Sequence, residues 1–332
     1  MTFDDMPRID LTHAPTALEA LGGLRQHLGG PRVWVKRDDC TGLAGGGNKT
    51  RKLEYLIAEA EAEGADAVVT FGALQSNHAR QTAAACARRG LACDLILLPA
   101  VARESDGYLL GGNLLLDRLL GARIHHLQPG QMPAAVLKTV LADHAAAGRR
   151  GYVIPAGGSN ATGALGYVRA ARELANQCRE RGIYPAAVIH ATSTGGTQAG
   201  LLAGFRIEGL STRVIGINVY NDQSSALVAH IEALTAQILS RIAPGIAPAA
   251  DGVEVVDGFL GGGYGVPTAA MVEAVSLIAS KDGLLLDPVY SGKAMAGLLA
   301  MLDRGAFVED DDLIFLHTGG TPVLSVYASA FP

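Results

Sequence analysis

The sequence predicts an α/β protein built as one or two doubly wound units. Three observations carry this. Short β-branched or apolar runs alternate with Ala/Leu/Glu-rich segments of helical period along the whole chain. Glycines concentrate in short loops at 42–47, 157–158, 195–196, 261–265 and 319–320, most of them just after strand-like runs. A chain of 332 residues, 49% of them apolar, has ample material for a large core.

Taken in order, strands are expected at 33–35, 67–71, 94–98, 124–127, 152–154, 187–190, 214–219 and 313–316, where β-branched and apolar residues cluster. Helices are expected near 51–63, 77–89, 109–120, 131–147, 163–181, 197–208, 223–241, 268–281 and 292–303. Such alternation favours parallel sheets with helices on both faces. Ligands then bind at the carboxyl ends of the strands. No internal repeat, low-complexity tract or linker marks a boundary.

Composition narrows the function. A net charge of −5 provides no electrostatic footprint for nucleic acid or an anionic membrane. No apolar run reaches the ~18 residues of a membrane span. Cys40, Cys86, Cys93 and Cys178 form no Cys-x-x-Cys pair, so neither a metal site nor a disulfide framework is expected. The opening residues lack a basic stretch followed by an apolar one, so a cytoplasmic location is expected.

Five segments carry chemistry. In the first, Lys36-Arg37-Asp38-Asp39 and Thr41-Gly42 precede Gly45-Gly46-Gly47-Asn48-Lys49-Thr50-Arg51-Lys52. A Walker A loop fails by one residue, since Asn48 separates Gly47 from the lysine. Two readings remain for Lys49: a surface lysine at a helix start, or a Schiff-base lysine. An amine near a helix N-terminus with Arg51 and Lys52 close in sequence is in a setting that disfavours protonation. In the second segment, Gln75, Ser76, Asn77 and His78 follow Gly72 at a strand–helix turn, where free N–H groups favour an anion. Helix capping accounts for one of the four without a ligand.

The third segment, His190 to Thr197, again runs from strand to helix. Ser193, Thr194, Gly195, Gly196 and Thr197 offer hydroxyls and amides that converge on a phosphate. The fourth is Leu286 to Lys293, where Tyr290 and Ser291 follow Pro288. The fifth is Phe315 to Gly320, with Thr318 before paired glycines. Tyr264 sits in the glycine loop 261–265. Either tyrosine suits a catalytic acid, a cap or a packed residue.

In this order the five segments resemble the fold-type II pyridoxal-phosphate enzymes, from Lys36 to Gly320. The branch most similar holds 1-aminocyclopropane-1-carboxylate deaminase, D-cysteine desulfhydrase and L-cysteate sulfo-lyase. The resemblance implies a tryptophan synthase β-like fold of two domains with the cofactor in the cleft between them. Residues 1–49 and 163–332 would form the large domain and 50–162 the small one. It implies pyridoxal 5′-phosphate as cofactor, a small amino acid as substrate, no metal, and a homodimer. Lys49 would be the Schiff-base lysine that also moves the α-proton, Asn77 the partner of the cofactor's 3′-oxygen, and Ser193 to Thr197 the phosphate cradle. Thr318 would also touch the cofactor. Gln75, Ser76, Asn77 and His78 would receive the substrate, with Ser76 catalytic. Tyr264 and Tyr290 match the two active-site tyrosines, and Ser291 falls where the pyridine nitrogen finds its partner.

Ser291 and His78 choose within the resemblance. Cyclopropane-opening members carry a glutamate and a glutamine at these places. A serine only hydrogen-bonds the ring nitrogen and leaves it neutral, which suffices when a thiolate or sulfite departs from the β-carbon. The expected reaction is therefore α,β-elimination on D-cysteine or L-cysteate, giving pyruvate, ammonia and sulfide or sulfite. Ring-opening deamination and racemisation are the alternatives. The run Cys40-Thr41-Gly42-Leu43 is more similar to the cysteate lyases. A nicotinamide oxidoreductase lacks its early Gly-x-Gly-x-x-Gly turn here.

Overall fold

The computed structural model describes residues 2–128, 130–222, 224–248 and 252–331. Its strands form two sheets. One sheet contains β1 (Leu18–Ala20), β2 (Arg32–Lys36), β7 (Pro185–Thr192), β8 (Arg213–Asn218), β9 (Glu254–Val256) and β10 (Asp312–Leu316), in the order β1-β2-β10-β7-β8-β9. All neighbours are parallel except β1 with β2. The other contains β3 (Ala67–Ala73), β4 (Ala92–Leu98), β5 (Arg123–His126) and β6 (Gly151–Ile154), all parallel in the order β5-β4-β3-β6.

The helices are α1 (Gly22–Leu28), α2 (Lys49–Ala62), α3 (Asn77–Arg89), α4 (Asp106–Leu110), α5 (Gly112–Leu119), α6 (Pro133–Ala146), α7 (Ala161–Arg181), α8 (Gly196–Ile207), α9 (Ser224–Ile242), α10 (Ala269–Asp282) and α11 (Ser291–Asp303). Each expected strand and helix has a counterpart, and Gln223, the expected first residue of α9, lies outside the described residues. The helix expected at 109–120 is broken into α4 and α5. Gly112 has φ +58, and a Cβ there would lie 2.4 Å from Gln75 Oε1.

Strand period two sorts the cores. Leu313 and Phe315 pack with Val33, Ile189 and Ile217 against Met271, Ile278 and Met295 of α10 and α11. Ile314 and Leu316 point the other way, onto Tyr167, Leu174, Leu201 and Phe205 of α7 and α8. In the four-stranded sheet, Val68, Leu95 and Leu97 face Leu53, Leu56 and Ala83, and Val69 and Ile96 meet Leu127 and Val140 on the reverse. Both sheets are thus covered on two faces, as parallel sheets require.

A buried charge network fixes α2. Arg51 binds both oxygens of Asp38 at 2.8 Å and reaches Glu173. Lys36 donates to Gln177 Oε1 and Thr16 O at 2.7 Å and to Glu173, while Tyr167 donates to Asp38 at 2.6 Å. Every charge there is matched, the condition under which buried ions are tolerated. The segment Lys36 to Asp39 is therefore scaffolding that holds the first turn of α2, and with it Lys49.

Candidate active site

Carboxyl ends of β3, β7, β8 and β10 converge with the start of α2 on one cleft. It encloses about 1040 Å³ of empty space, open solvent at its mouth included. Lys49, Ser76, Asn77, His78, Ser193, Thr194, Gly195, Thr197, Tyr264, Tyr290 and Thr318 all line it. The structure thus brings together most of the predicted residues from five distant segments.

Lys49 enters from the first residue of α2. Burial alone lowers its pKa to about 8. Arg51, expected to help by charge, instead turns away onto Asp38 and Glu173. Among the described residues nothing hydrogen-bonds the Lys49 amine. Gly319 closes the loop beneath it: its φ is +95, and a Cβ would lie 2.8 Å from Gly47 Cα. Two backbones meet here at a distance only glycine permits.

At the start of α3, Ser76 is the N-cap and accepts the Ala79 amide at 3.2 Å. Its own O–H remains free to donate. Asn77 Oδ1 accepts from Asn113 Nδ2 at 2.9 Å, which leaves its own amide hydrogens for the cleft. Thr70 donates its hydroxyl to Ile154 O at 2.8 Å, so it must accept from His78 Nε2–H at 2.9 Å. His78 is thereby assigned a neutral tautomer with an unprotonated, partnerless Nδ1. Burial, reinforced by Lys49 and Lys52, pushes its pKa well below the usual histidine value.

The loop after β7 feeds α8. Gly195 has φ +77, and the first-turn amides of α8 have no helical acceptor. Gly196 does not itself line the cleft. A Cβ there would lie 2.7 Å from Ser159 Oγ, which bonds Thr194 Oγ1 at 2.6 Å. Gly157 faces the same hydroxyl, where a Cβ would come within 2.5 Å of Thr194 Oγ1. The hydroxyl of Thr192, which lines the cleft, has no partner.

Tyr264 and Tyr290 hydrogen-bond through their hydroxyls. Burial raises both pKa values above the ordinary tyrosine value, so both stay protonated at neutral pH.

Besides Gly196, two predicted residues do not line the cleft. Gln75 spends its amide on the backbone, donating to Tyr108 O at 2.6 Å and accepting from Asn113 N at 2.8 Å. It fastens the start of α5 rather than a substrate. Ser291, expected at the ring nitrogen, is not among the lining residues either. It is buried, donates to Asp287 Oδ1 at 2.6 Å and accepts from Asp287 N at 2.8 Å. Asp287 also takes the amides of Val289, Tyr290 and Ser291. Ser291 spends its proton in this cap, and the threonine that lines the cleft from the end of β10 is Thr318.

Two residues escaped sequence reasoning. Lys52, one turn along α2 from Lys49, is buried and donates to Gly157 O and Ser159 Oγ at 3.1 Å. It has no carboxylate partner among the described residues, and its pKa falls well below 10.5 through burial and Lys49. The i, i+3 spacing was the available signal. Tyr220 lines the mouth, its ring edge-on to Tyr264 with centroids 5.5 Å apart. Its place just after β8, at a strand's carboxyl end, was the sign.

Residues 9–319 match the family described as pyridoxal-phosphate dependent enzyme, and the chain belongs to that family. Its cofactor is pyridoxal phosphate and its fold is fold type II. More particularly, it is 43% identical over 324 residues to D-cysteine desulfhydrase of Salmonella newport (strain SL254), covering 97% of this chain and 96% of the relative. The enzyme of Salmonella paratyphi B (strain ATCC BAA-1250 / SPB7) matches to the same extent. A solved 1-aminocyclopropane-1-carboxylate (ACC) deaminase homologue superposes with a TM-score of 0.86 at 33% identity, over 99% of this chain and 96% of the other. A fungal L-serine ammonia-lyase from Rhizomucor miehei shares the fold alone, with a TM-score of 0.67 at 18% identity and coverage of 93% and 94%.

The side chains fit this cofactor. An unpartnered buried amine stands at Lys49, and a buried cation without a counter-ion at Lys52. The glycine turn at the α8 N-terminus leaves amides and the Thr192 hydroxyl unsatisfied, a combination suited to phosphate.

Proposed function

We propose that this enzyme is a carbon–sulfur lyase that eliminates sulfide from D-cysteine, giving pyruvate and ammonia. One observation carries the choice of reaction: no aspartate or glutamate is among the described residues that line the cleft. A carboxylate would be needed to keep a pyridine nitrogen protonated, and opening a strained carbon ring without a good leaving group depends on that stronger electron sink. A hydroxyl partner, which we assign to Thr318 in place of Ser291, suffices for a departing thiolate. The ring-opening deaminase is the alternative this disfavours. No arginine lines the cleft either, which disfavours the anionic sulfonate of L-cysteate. Cys40, whose neighbourhood is similar to cysteate lyases, is exposed beside Asp39 and Arg37, outside the cleft lining.

Bound pyridoxal phosphate supplies the electron sink that lets the Cα–H bond break. Lys49 would hold the cofactor, and its amine is the base that takes the Cα proton. The Asn77 amide would bond the cofactor's 3′-oxygen. Ser193, Thr194, Gly195 and Thr197, with Lys52, would hold the phosphate. Ser76 O–H and the opening amides of α3 receive the substrate carboxylate, where the helix dipole favours an anion. Tyr290, hydrogen-bonded to Tyr264, delivers its hydroxyl proton to the departing sulfur. The balance is D-cysteine plus water to pyruvate, ammonia and hydrogen sulfide.

Supporting the two-domain division at 1–49 with 163–332 and at 50–162 is the distribution of strands: β3 to β6 form one sheet and the remainder the other. We also place the enzyme in the cytoplasm as a homodimer, a reading supported by its four free cysteines and by the family resemblance. Pyruvate assays with D-cysteine, L-cysteate, D-serine and aminocyclopropane carboxylate test the reaction. Turnover of D-cysteine with matching sulfide is expected, whereas preferential turnover of the cyclopropane substrate would overturn the reading.

A further inference from the structure

Lys293 is a cation in an unfavourable place. It lies in the first turn of α11, where the helix dipole disfavours positive charge, and it is fully buried. Among the described residues no carboxylate forms an ion pair with it; Asp287 acts on it only at longer range, and burial outweighs that to lower its pKa to about 8. A position costly in these ways is retained for what the ammonium touches. It donates to Leu260 O at 2.6 Å and to Gly263 O at 3.2 Å.

Those carbonyls bracket the glycine run directly before Tyr264. Gly261, Gly263 and Gly265 have φ +68, +142 and +70, so the run is glycine by necessity. Its middle has little packing: a Cβ at Gly262 or Gly263 would meet only Val266, whereas one at Gly261 would lie 2.2 Å from Thr268 Cγ2. Tyr290 is the N-cap of the same helix. A single helix start therefore carries Tyr290 directly and grips the Tyr264 loop through Lys293.

We propose that Lys293 is a positioning residue for the elimination, clamping the loop at Leu260 and Gly263 so that the Tyr264 hydroxyl stays against that of Tyr290. This rests on the reading that the two tyrosines move the proton to sulfur. Lys293→Met removes the ammonium and keeps an apolar chain of similar length. In the holoenzyme, kcat should fall about tenfold with little change in KM, and the Lys293→Met, Tyr264→Phe double variant should be no slower than Tyr264→Phe alone. Hydrogen exchange should quicken at 258–266 and not in α10 or α11.

Unchanged exchange at 258–266, or effects of the two substitutions that multiply, would overturn the clamp. If Tyr264→Phe alone retains full activity while exchange still quickens, the tyrosine assignment fails and the clamp stands as a structural contact only. Should Lys293→Met not fold, Lys293→Gln provides the same comparison, with the same exchange pattern expected at smaller amplitude.

Discussion

The hydroxyls of Tyr264 and Tyr290 bond to each other at the cleft, although 26 residues and a helix separate them. Burial holds both protonated. A hydroxyl proton beside the cleft is what a departing thiolate needs. Tyr290→Phe should therefore lower kcat by about 10²-fold or more while cofactor content stays at wild type. Steady-state kinetics with absorbance-based cofactor titration checks this. A parallel loss of cofactor would instead assign Tyr290 to binding.

Lys49 titrates far below an ordinary lysine, at about 8 instead of 10.5, because burial disfavours its ammonium. Only the neutral amine attacks the cofactor aldehyde, and the neutral fraction grows as pH rises. Cofactor capture by the apoenzyme should thus accelerate about tenfold per pH unit below 8 and level off above it. Stopped-flow mixing across pH 6–9 measures the profile. A rise continuing undiminished toward pH 10 would mean an unperturbed lysine.

Lys52 has two neutral partners and no carboxylate. An incoming phosphate provides the missing charge, and a hydrogen bond between charged groups is worth roughly 1.5–3 kcal/mol. Lys52→Met should weaken pyridoxal-phosphate binding by about tenfold or more, while pyridoxal, lacking the phosphate, binds both proteins alike. Equilibrium dialysis with the two ligands separates these outcomes.

The sequence reading places Ser291 at the ring nitrogen and our proposal places Thr318 there, and paired alanine variants separate the two. Ser291→Ala removes one hydroxyl from the Asp287 cap and should cost about 1 kcal/mol of stability without altering the visible spectrum of the holoenzyme. Thr318→Ala should shift that spectrum with little change in unfolding midpoint. Denaturant titration and absorbance spectra of both proteins read this out.

The alternation of strands and helices was legible because parallel strands buried on both faces are continuously apolar. β1 and β9 were not, being three-residue edge strands, Leu18–Ala20 and Glu254–Val256, that each include a glutamate. α1, at Gly22–Leu28, begins with paired glycines that read as a turn. Lys49 was legible from its glycine loop and ordered company. That Gln75 and Ser291 stand outside the cleft lining was not legible, because the groups that engage them, the α5 backbone and Asp287, are set by tertiary or capping geometry. Lys52 was passed over because a lysine's burial does not show in its neighbours along the chain.

Four lysines, Lys36, Lys49, Lys52 and Lys293, are buried or border the cleft, and the account gives only Lys49 the cofactor. Borohydride reduction of the yellow holoenzyme, proteolysis and mass mapping of the pyridoxyl-phosphate adduct decide it. The adduct is expected on Lys49 alone, with Lys49→Ala colourless and inactive. An adduct on Lys52 or Lys293, or a protein that takes up no pyridoxal phosphate, would contradict the account.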